Sequence, residues 1–181
     1  MKRFALPLAI GLVLGGIVHL VSVLMLPHFA ERDAYARLSA IGSPNAVAPI
    51  DDPTPFGAVL PATDPAFVAL VCLYDLEQGP LKLRIPTSPD YTSVSFYTRL
   101  GLPYYAINDR SAGRRIIELD LMSPSQKAAL PDDDEVTVAD RLVVESPSET
   151  GMVLVRAFVR ERGAREDVRR RLEAATCGSA T

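Results

Sequence analysis

The stretch Phe67-Val68-Ala69-Leu70-Val71-Cys72-Leu73-Tyr74 contains eight residues without a charge or a turn former. A short, continuous apolar run of this length predicts a strand that is buried on both faces. The pattern then changes, because residues 81–85 alternate between apolar and basic side chains. Alternation with a period of two predicts a strand with one face on a core and the other toward water. We therefore place the first strands of a β-rich domain here.

Further strands are predicted downstream at residues 94–99, 104–107, 117–121, 136–144 and 152–159. Turn-forming residues separate them, and the spacing is about ten residues. Helical patterns interrupt the series at 124–130 and at 164–176, where Gly178 can end the second helix. Seven short strands with a C-terminal helix predict a mainly β fold that is sandwich- or barrel-like.

Residues 4–26 form a run of 23 positions without Asp, Glu, Lys or Arg. As a helix this run is about 34 Å long, enough to cross a hydrocarbon core of about 30 Å. A cleaved signal peptide is the alternative, but it needs a shorter apolar core and small residues before the cut. The sequence therefore favours an uncleaved signal-anchor, a single transmembrane helix.

Charge predicts the orientation of this helix. Lys2 and Arg3 precede the span, whereas charges of both signs follow it. The positive-inside rule then places the N-terminus in the cytoplasm and, in a bacterium, the remaining chain in the periplasm. The predicted location is thus the bacterial inner membrane, crossed once.

The rest of the chain divides by composition. We predict a cytoplasmic tip at 1–3, the transmembrane helix at 4–26, a stalk and Pro-rich linker at 27–63, and a β-rich periplasmic domain at 64–181. The stalk has a helix-like pattern to Ile41. Six prolines between 43 and 65 exclude a regular helix, so this part is an extended linker or a meander on the domain surface.

Gly11 and Gly15 form a G-x-x-x-G pair within the span. Small residues four apart allow two helices to approach closely, which indicates a homodimer through the membrane helix. The other interpretation is that glycine is simply common in membrane helices. His19 lies in the same span without another ionisable residue, which favours a neutral side chain that faces another helix.

Cys72 and Cys177 are the two cysteines of the chain. A periplasmic domain lies in an oxidising compartment, where two cysteines near its ends predict a disulfide. The bridge would close a loop of about 105 residues and contribute about 4 kcal/mol on the loop-entropy model. The alternative is a buried free Cys72 and a reactive thiol at the C-terminal end.

The position of the histidines excludes several chemistries. Both histidines, His19 and His28, lie in or beside the predicted span, so the domain after Phe29 contains none. A Ser–His–Asp triad, a Cys–His pair and histidine-rich zinc or haem sites are therefore excluded there. The chain has no Gly-rich phosphate loop, and its net charge of −3 argues against nucleic-acid binding.

What remains open is a carboxylate pair, a Ser–Lys pair or a calcium site. The acidic run 132–135 lacks the spacing of a calcium loop and predicts a solvated loop. We therefore predict no catalytic residue, no metal and no cofactor, and the sequence indicates a non-catalytic protein.

One polar constellation at a strand end could bind a polar or anionic ligand. Its candidate residues are Tyr104, Tyr105, Asn108, Asp109, Arg110 and Arg114. The alternative is an ordinary turn, because Asn and Asp side chains hydrogen-bond to nearby backbone groups. Arginines 169–171 on the last helix present a similar choice between an anion-binding patch and a solvated face paired with Glu166 and Glu173.

Four short motifs resemble the bacterial family called domain of unknown function 1254, in its short, membrane-anchored form. They are Cys72-Leu73-Tyr74-Asp75, Gly79-Pro80-Leu81, the segment 91–97 and the segment 105–110. The likeness covers residues 64 to 160 and implies a β-rich domain with no catalytic residues to carry over. Longer relatives join this domain to a second one, which suggests that a separate anchored protein supplies the missing half.

We therefore predict a single-span inner-membrane protein whose periplasmic domain is an envelope interaction or assembly module. Its expected partners are the lipid bilayer, another anchored envelope protein and a second copy of the chain. The alternative is an envelope enzyme or small-ligand binder that uses the region 104–115.

Overall fold

The computed structural model describes residues 2–29, 33–50, 59–60, 63–113, 115–130 and 142–179. The chain divides into two compact units, Met1–Asp33 and Ala34–Thr181.

The first unit is one long helix, α1 (Lys2–Phe29). Its segment Phe4–Leu26 has a mean hydropathy of 2.4, and none of the segment is buried against other parts of the protein. An apolar helix of this length, with its side chains exposed, is compatible with a signal anchor or a single membrane span.

In its described residues, the second unit contains two sheets and four short α-helices. Its strands are β1 (Val47–Ile50), β2 (Phe67–Asp75), β3 (Leu81–Pro86), β4 (Thr92–Thr98), β5 (Pro103–Asn108), β6 (Ile116–Met122), β7 (Leu142–Glu145), β8 (Thr150–Phe158) and β9 (Thr176–Ser179). Its helices are α2 (Ala34–Leu38), α3 (Asp109–Ala112), α4 (Pro124–Ala128) and α5 (Arg165–Leu172).

The strand order makes a two-sheet structure. The first sheet runs β1-β2-β8-β4-β5 with antiparallel neighbours throughout. The second sheet runs β7-β6-β3-β9, in which β6 and β7 are parallel. The predicted mainly β fold is confirmed in its sandwich-like form, while the barrel-like alternative is wrong, since the sheets do not close into a barrel.

Strand β2 is buried on both faces, as its apolar run predicts. Leu70 and Tyr74 belong to the main core between the sheets, together with residues of β3, β6 and α5. Val71 and Leu73 belong to a second core on the other face of the same sheet. That second core is covered by Leu38 of α2 and by residues of β1.

Strand β1 forms within the proline-rich segment, where no strand was predicted. It pairs only with β2 in the described part of the chain, so Pro49 lies on an edge strand that tolerates a missing N–H. Asn45 anchors the segment, since its side chain bonds both the backbone N–H and the carbonyl of Asp75, at 2.8 and 3.0 Å. Buried Ala48 and Ile50 then complete the second core.

The C-terminal helix is shorter than its pattern predicts, which is a correction to the predicted end at Thr176. Helix α5 ends at Leu172, and residues from Thr176 onward form β9. The reason is tertiary, because Cys177 pairs with Leu83 in the second sheet and lies at disulfide-bonding distance from Cys72. Cys177 therefore lies on a strand and not at a helix end.

Three other predictions fall wholly or partly on residues outside the described part of the chain. The stalk is not one continuous described helix, since α1 ends at Phe29, α2 begins at Ala34, and residues 30–32 lie outside the described part. Of the strand predicted at 136–144, the described part begins at Leu142. The acidic run 132–135 lies outside the described residues.

The two cysteines lie at disulfide-bonding distance and join the two sheets. Cys72 is on β2 and Cys177 on β9, with their Cα atoms 6.5 Å apart. Both residues are buried in the main core. A bridge between residues 105 positions apart restricts the unfolded chain strongly, which stabilises the folded state.

We expect Cys177→Ser in the full chain to lower the free energy of unfolding by about 4 kcal/mol, because a loop of this length is no longer closed. Denaturant unfolding in detergent, with and without reductant, measures the change. Reductant should destabilise the wild type and leave the variant unaltered. Two reactive thiols in the unreduced, denatured wild type would contradict the bridge.

Candidate functional site

The β4–β5 hairpin carries the aromatic residues of the predicted site. Its register shifts, since Phe96 lies opposite Tyr105 and Tyr97 opposite Pro103, which leaves Tyr104 as an extra residue in a bulge. A bulge interrupts the alternation of side chains along a strand. The rings of Tyr104 and Tyr105 therefore both lie near Phe96, with centroids 6.1 and 5.7 Å from its ring.

The Tyr104 hydroxyl belongs to a hydroxyl cluster formed with Tyr74 and Ser146. Tyr104 donates to the Tyr74 hydroxyl at 3.1 Å, and the Tyr74 hydroxyl lies 3.0 Å from Ser146 Oγ. Ser146 in turn donates to the carbonyl of Ser148 at 2.7 Å. Tyr74 and Ser146 are fully buried. These hydrogen bonds satisfy polar groups inside the sandwich, so Tyr104 supports the fold.

Burial raises the pKa of Tyr104 well above its ordinary value of about 10. Ser146 lowers this pKa through its hydrogen bond, whereas Tyr74 raises it further. The burial effect is the largest, so the phenol stays neutral over the physiological range and acts as a hydrogen-bond donor.

Gly151 makes room for this cluster. It lies opposite Tyr74 in the β2–β8 ladder, and a Cβ at this position would overlap the Tyr74 hydroxyl and the Tyr97 carbonyl. Tyr74, Ser146 and Gly151 are not among the site residues that the sequence predicts. A signal was present, since a tyrosine inside an apolar run needs a partner for its hydroxyl.

The remaining candidate ligand residues lie at or after the end of β5, and their side chains have different surroundings. Asn108 caps α3, since its side chain accepts a hydrogen bond from the N–H of Ser111 at 2.9 Å, which is the turn alternative of the sequence analysis. Asp109 accepts from the N–H of Thr92 at 3.3 Å. Arg110 is exposed on α3, and Arg114 lies outside the described residues.

Asp109 also lines a cleft of about 630 Å³. We call it the 86–89 cleft, and its lining residues are Pro86, Thr87, Ser88, Pro89, Asp109, Gly113, Arg115 and Arg171. Of the five predicted ligand residues that the structure describes, Asp109 alone is in this lining. Arg171 comes from the arginine run of α5, whereas the segment 86–89 is not among the predicted site residues.

Metal binding has no support in the described residues. Nowhere in that part of the chain do three or more His, Cys, Asp or Glu side chains form a group that could hold a metal ion.

A family model described as "Protein of unknown function (DUF1254)" matches residues 44–177. No curated protein matches the chain. Among solved structures, the VPA0106 protein from Vibrio parahaemolyticus is similar with a TM-score of 0.58 and 12% identity, over 82% of this chain and 34% of that one. An uncharacterised protein from Burkholderia cenocepacia has a TM-score of 0.44 and 19% identity, over 64% of this chain and 31% of that one.

The chain therefore spans about a third of the length of both solved structures. At this identity, the likeness to the Vibrio protein supports the fold and carries no activity with it.

We expect the free energy of unfolding of Tyr104→Phe to fall less steeply than that of the wild type as pH rises above about 10. The folded protein keeps the Tyr104 proton, whereas the unfolded chain releases it at about pH 10, so Tyr104 destabilises the fold as pH rises above about 10. The slope difference between wild type and variant approaches 1.4 kcal/mol per pH unit.

Denaturant unfolding of the full chain in detergent, between about pH 8 and about pH 11, measures this difference. At neutral pH the variant should lose only about 1 kcal/mol, the value of one hydrogen bond. Parallel stability curves for the two proteins would contradict the burial of this hydroxyl.

Proposed function

This chain belongs to the family of proteins of unknown function DUF1254, and on that premise we propose that it is a single-span inner-membrane protein with a periplasmic interaction or assembly domain. The observation that carries the proposal is the combination of one exposed apolar helix with a domain whose two sheets are joined by a cysteine pair.

The helix supports the membrane anchor. Exposed apolar surface is unfavourable in water by about 25 cal/mol per Å², and the second unit has its own core without the helix. A bilayer accepts such a helix because all its backbone groups are paired internally. Lys2 and Arg3 at its start favour a cytoplasmic N-terminus.

The cysteine pair supports the periplasmic location. Disulfides persist in oxidising compartments and are rare in the cytosol, where thiols are kept reduced. Both cysteines are buried between the sheets, which suits a structural bridge better than a reactive thiol.

An exposed turn supports the interaction role. We call residues 99–102, which connect β4 to β5, the hairpin tip. Leu100 and Leu102 in this turn are 43% and 63% exposed. The turn is ordered, since the N–H of Thr98 donates to the carbonyl of Leu102 at 2.9 Å, and Gly101 adopts a φ of +79° that suits glycine. Ordered, exposed leucines suit a protein contact.

The neighbouring edge strand supports the same surface. Within the described residues β5 pairs on one side only, with β4. The free edge of a strand presents unpaired backbone groups to a partner. Pairing through Gly11 and Gly15, with a second copy as the partner, stays a separate prediction.

Alkaline phosphatase fused to the C-terminus should be active in intact bacteria, because this enzyme needs the oxidising side of the membrane. A β-galactosidase fusion at the same position should be inactive and provides the reciprocal control. An inactive phosphatase in a stably expressed fusion would overturn the proposed topology.

Affinity capture of the full chain from detergent-solubilised membranes should recover a stoichiometric membrane protein. Leu102→Asp should lower this recovery roughly tenfold, as expected when a charge enters an apolar contact. Leu130→Asp changes another exposed leucine, outside the hairpin tip, and should leave recovery unchanged. A lone chain, or equal losses with both variants, would count against the interaction surface.

A further inference from the structure

We infer that the 86–89 cleft binds a small molecule that carries a carboxylate or phosphate group. The cleft lies within the second unit, so the inference stands independently of the proposed topology.

Two arginines from distant parts of the chain line this cleft. Arg115 precedes β6 and Arg171 lies in the last turn of α5, and both side chains are exposed. Arginine binds carboxylate and phosphate through two parallel N–H donors, which suits it for recognising such groups.

These two arginines differ from others on the surface. Arg84, Arg160 and Arg170 form ion pairs with Glu118, Asp90 and Asp167 respectively. Across the described ranges, no such ion pair joins Arg115 or Arg171 to a carboxylate. Their N–H donors are therefore available to an anion from solution.

The hydroxyl groups of Thr87 and Ser88 in the cleft already donate hydrogen bonds to backbone carbonyls. Thr87 donates to the carbonyl of Arg115 through both its N–H and its Oγ1, each at 2.9 Å. Ser88, which is buried, donates through Oγ to the carbonyl of Tyr91 at 2.9 Å. The donors for an anionic group are thus the two arginines, and Thr87 fixes the backbone from which Arg115 extends.

Asp109 adds a second requirement. Its carboxylate is held by the N–H of Thr92 and lines the same cleft. A ligand with an anionic group for the arginines and a hydroxyl or amine for Asp109 would match these charges. The volume of about 630 Å³ lies within the usual range for small-molecule sites, about 300–1,000 Å³.

The test uses the full chain in phosphatidylcholine nanodiscs, with inorganic phosphate and succinate as probes and sodium chloride as the ionic control. Side-chain N–H signals of Arg115 and Arg171 should shift and saturate with either probe and not with chloride. Arg115→Gln and Arg171→Gln should each weaken binding roughly tenfold or more. Arg110→Gln, an exposed arginine outside the cleft lining, is the matched control and should bind as wild type.

A second arm identifies the source of the anion. If the ligand is soluble, the side-chain N–H signals of Arg115 and Arg171 should still respond to free phosphate when the nanodiscs contain phosphatidylglycerol. Signals that are already shifted, and lost only in the two cleft variants, would identify a lipid headgroup as the source of the same chemistry. The inference is overturned by an unsaturable response to all probes, or by equal weakening in Arg110→Gln. Unchanged melting temperatures of the variants exclude unfolding as the cause.

Discussion

Strand β2 places Leu70 and Tyr74 between the two sheets and Val71 and Leu73 against the second core on the other face. Each fully buried aliphatic side chain of this kind contributes about 1.5–3 kcal/mol. A shift of the β2 register by one residue would exchange the two sets of side chains, so both cores specify the same register. Cys72 lies in this strand, and the cysteine pair with β9 therefore depends on that register as well.

The register of β2 also explains why Tyr104 supports the fold. With its register set, β2 directs the Tyr74 hydroxyl toward the start of β8, where Gly151 leaves space for it. The buried hydroxyl requires partners, and Tyr104 and Ser146 provide them. Tyr104, which suggests a ligand site in the sequence, thus satisfies a polar group in the core.

The β4–β5 hairpin separates the two surfaces that we propose as functional. The hairpin tip lies at one end, whereas Thr92 and Asp109, which position one wall of the 86–89 cleft, lie at the other. Seven residues of β4 at about 3.3 Å per residue separate these ends by about 20 Å. A protein bound at the tip alone would therefore leave the cleft open, whereas a partner strand that pairs along the whole of β5 would reach Asn108, next to Asp109 in the cleft.

Local pattern in the sequence was sufficient to predict the apolar helix, the β-rich class, the buried strand β2 and the proximity of Cys72 to Cys177. The helix and the strands follow from the period and length of apolar runs that are local in the chain. The cysteine pair follows from the presence of two cysteines in the sequence. Local pattern was insufficient for β1 and β9, because Pro49 and the helical pattern before Cys177 argue locally against strands. The hydroxyl cluster and the 86–89 cleft required the tertiary structure, since Tyr74 contacts Ser146, and Arg115 and Arg171 line one cleft, only in the folded domain. Long-range contacts of this kind decide against local preference because buried area and satisfied polar groups outweigh a propensity of less than about 1 kcal/mol per residue.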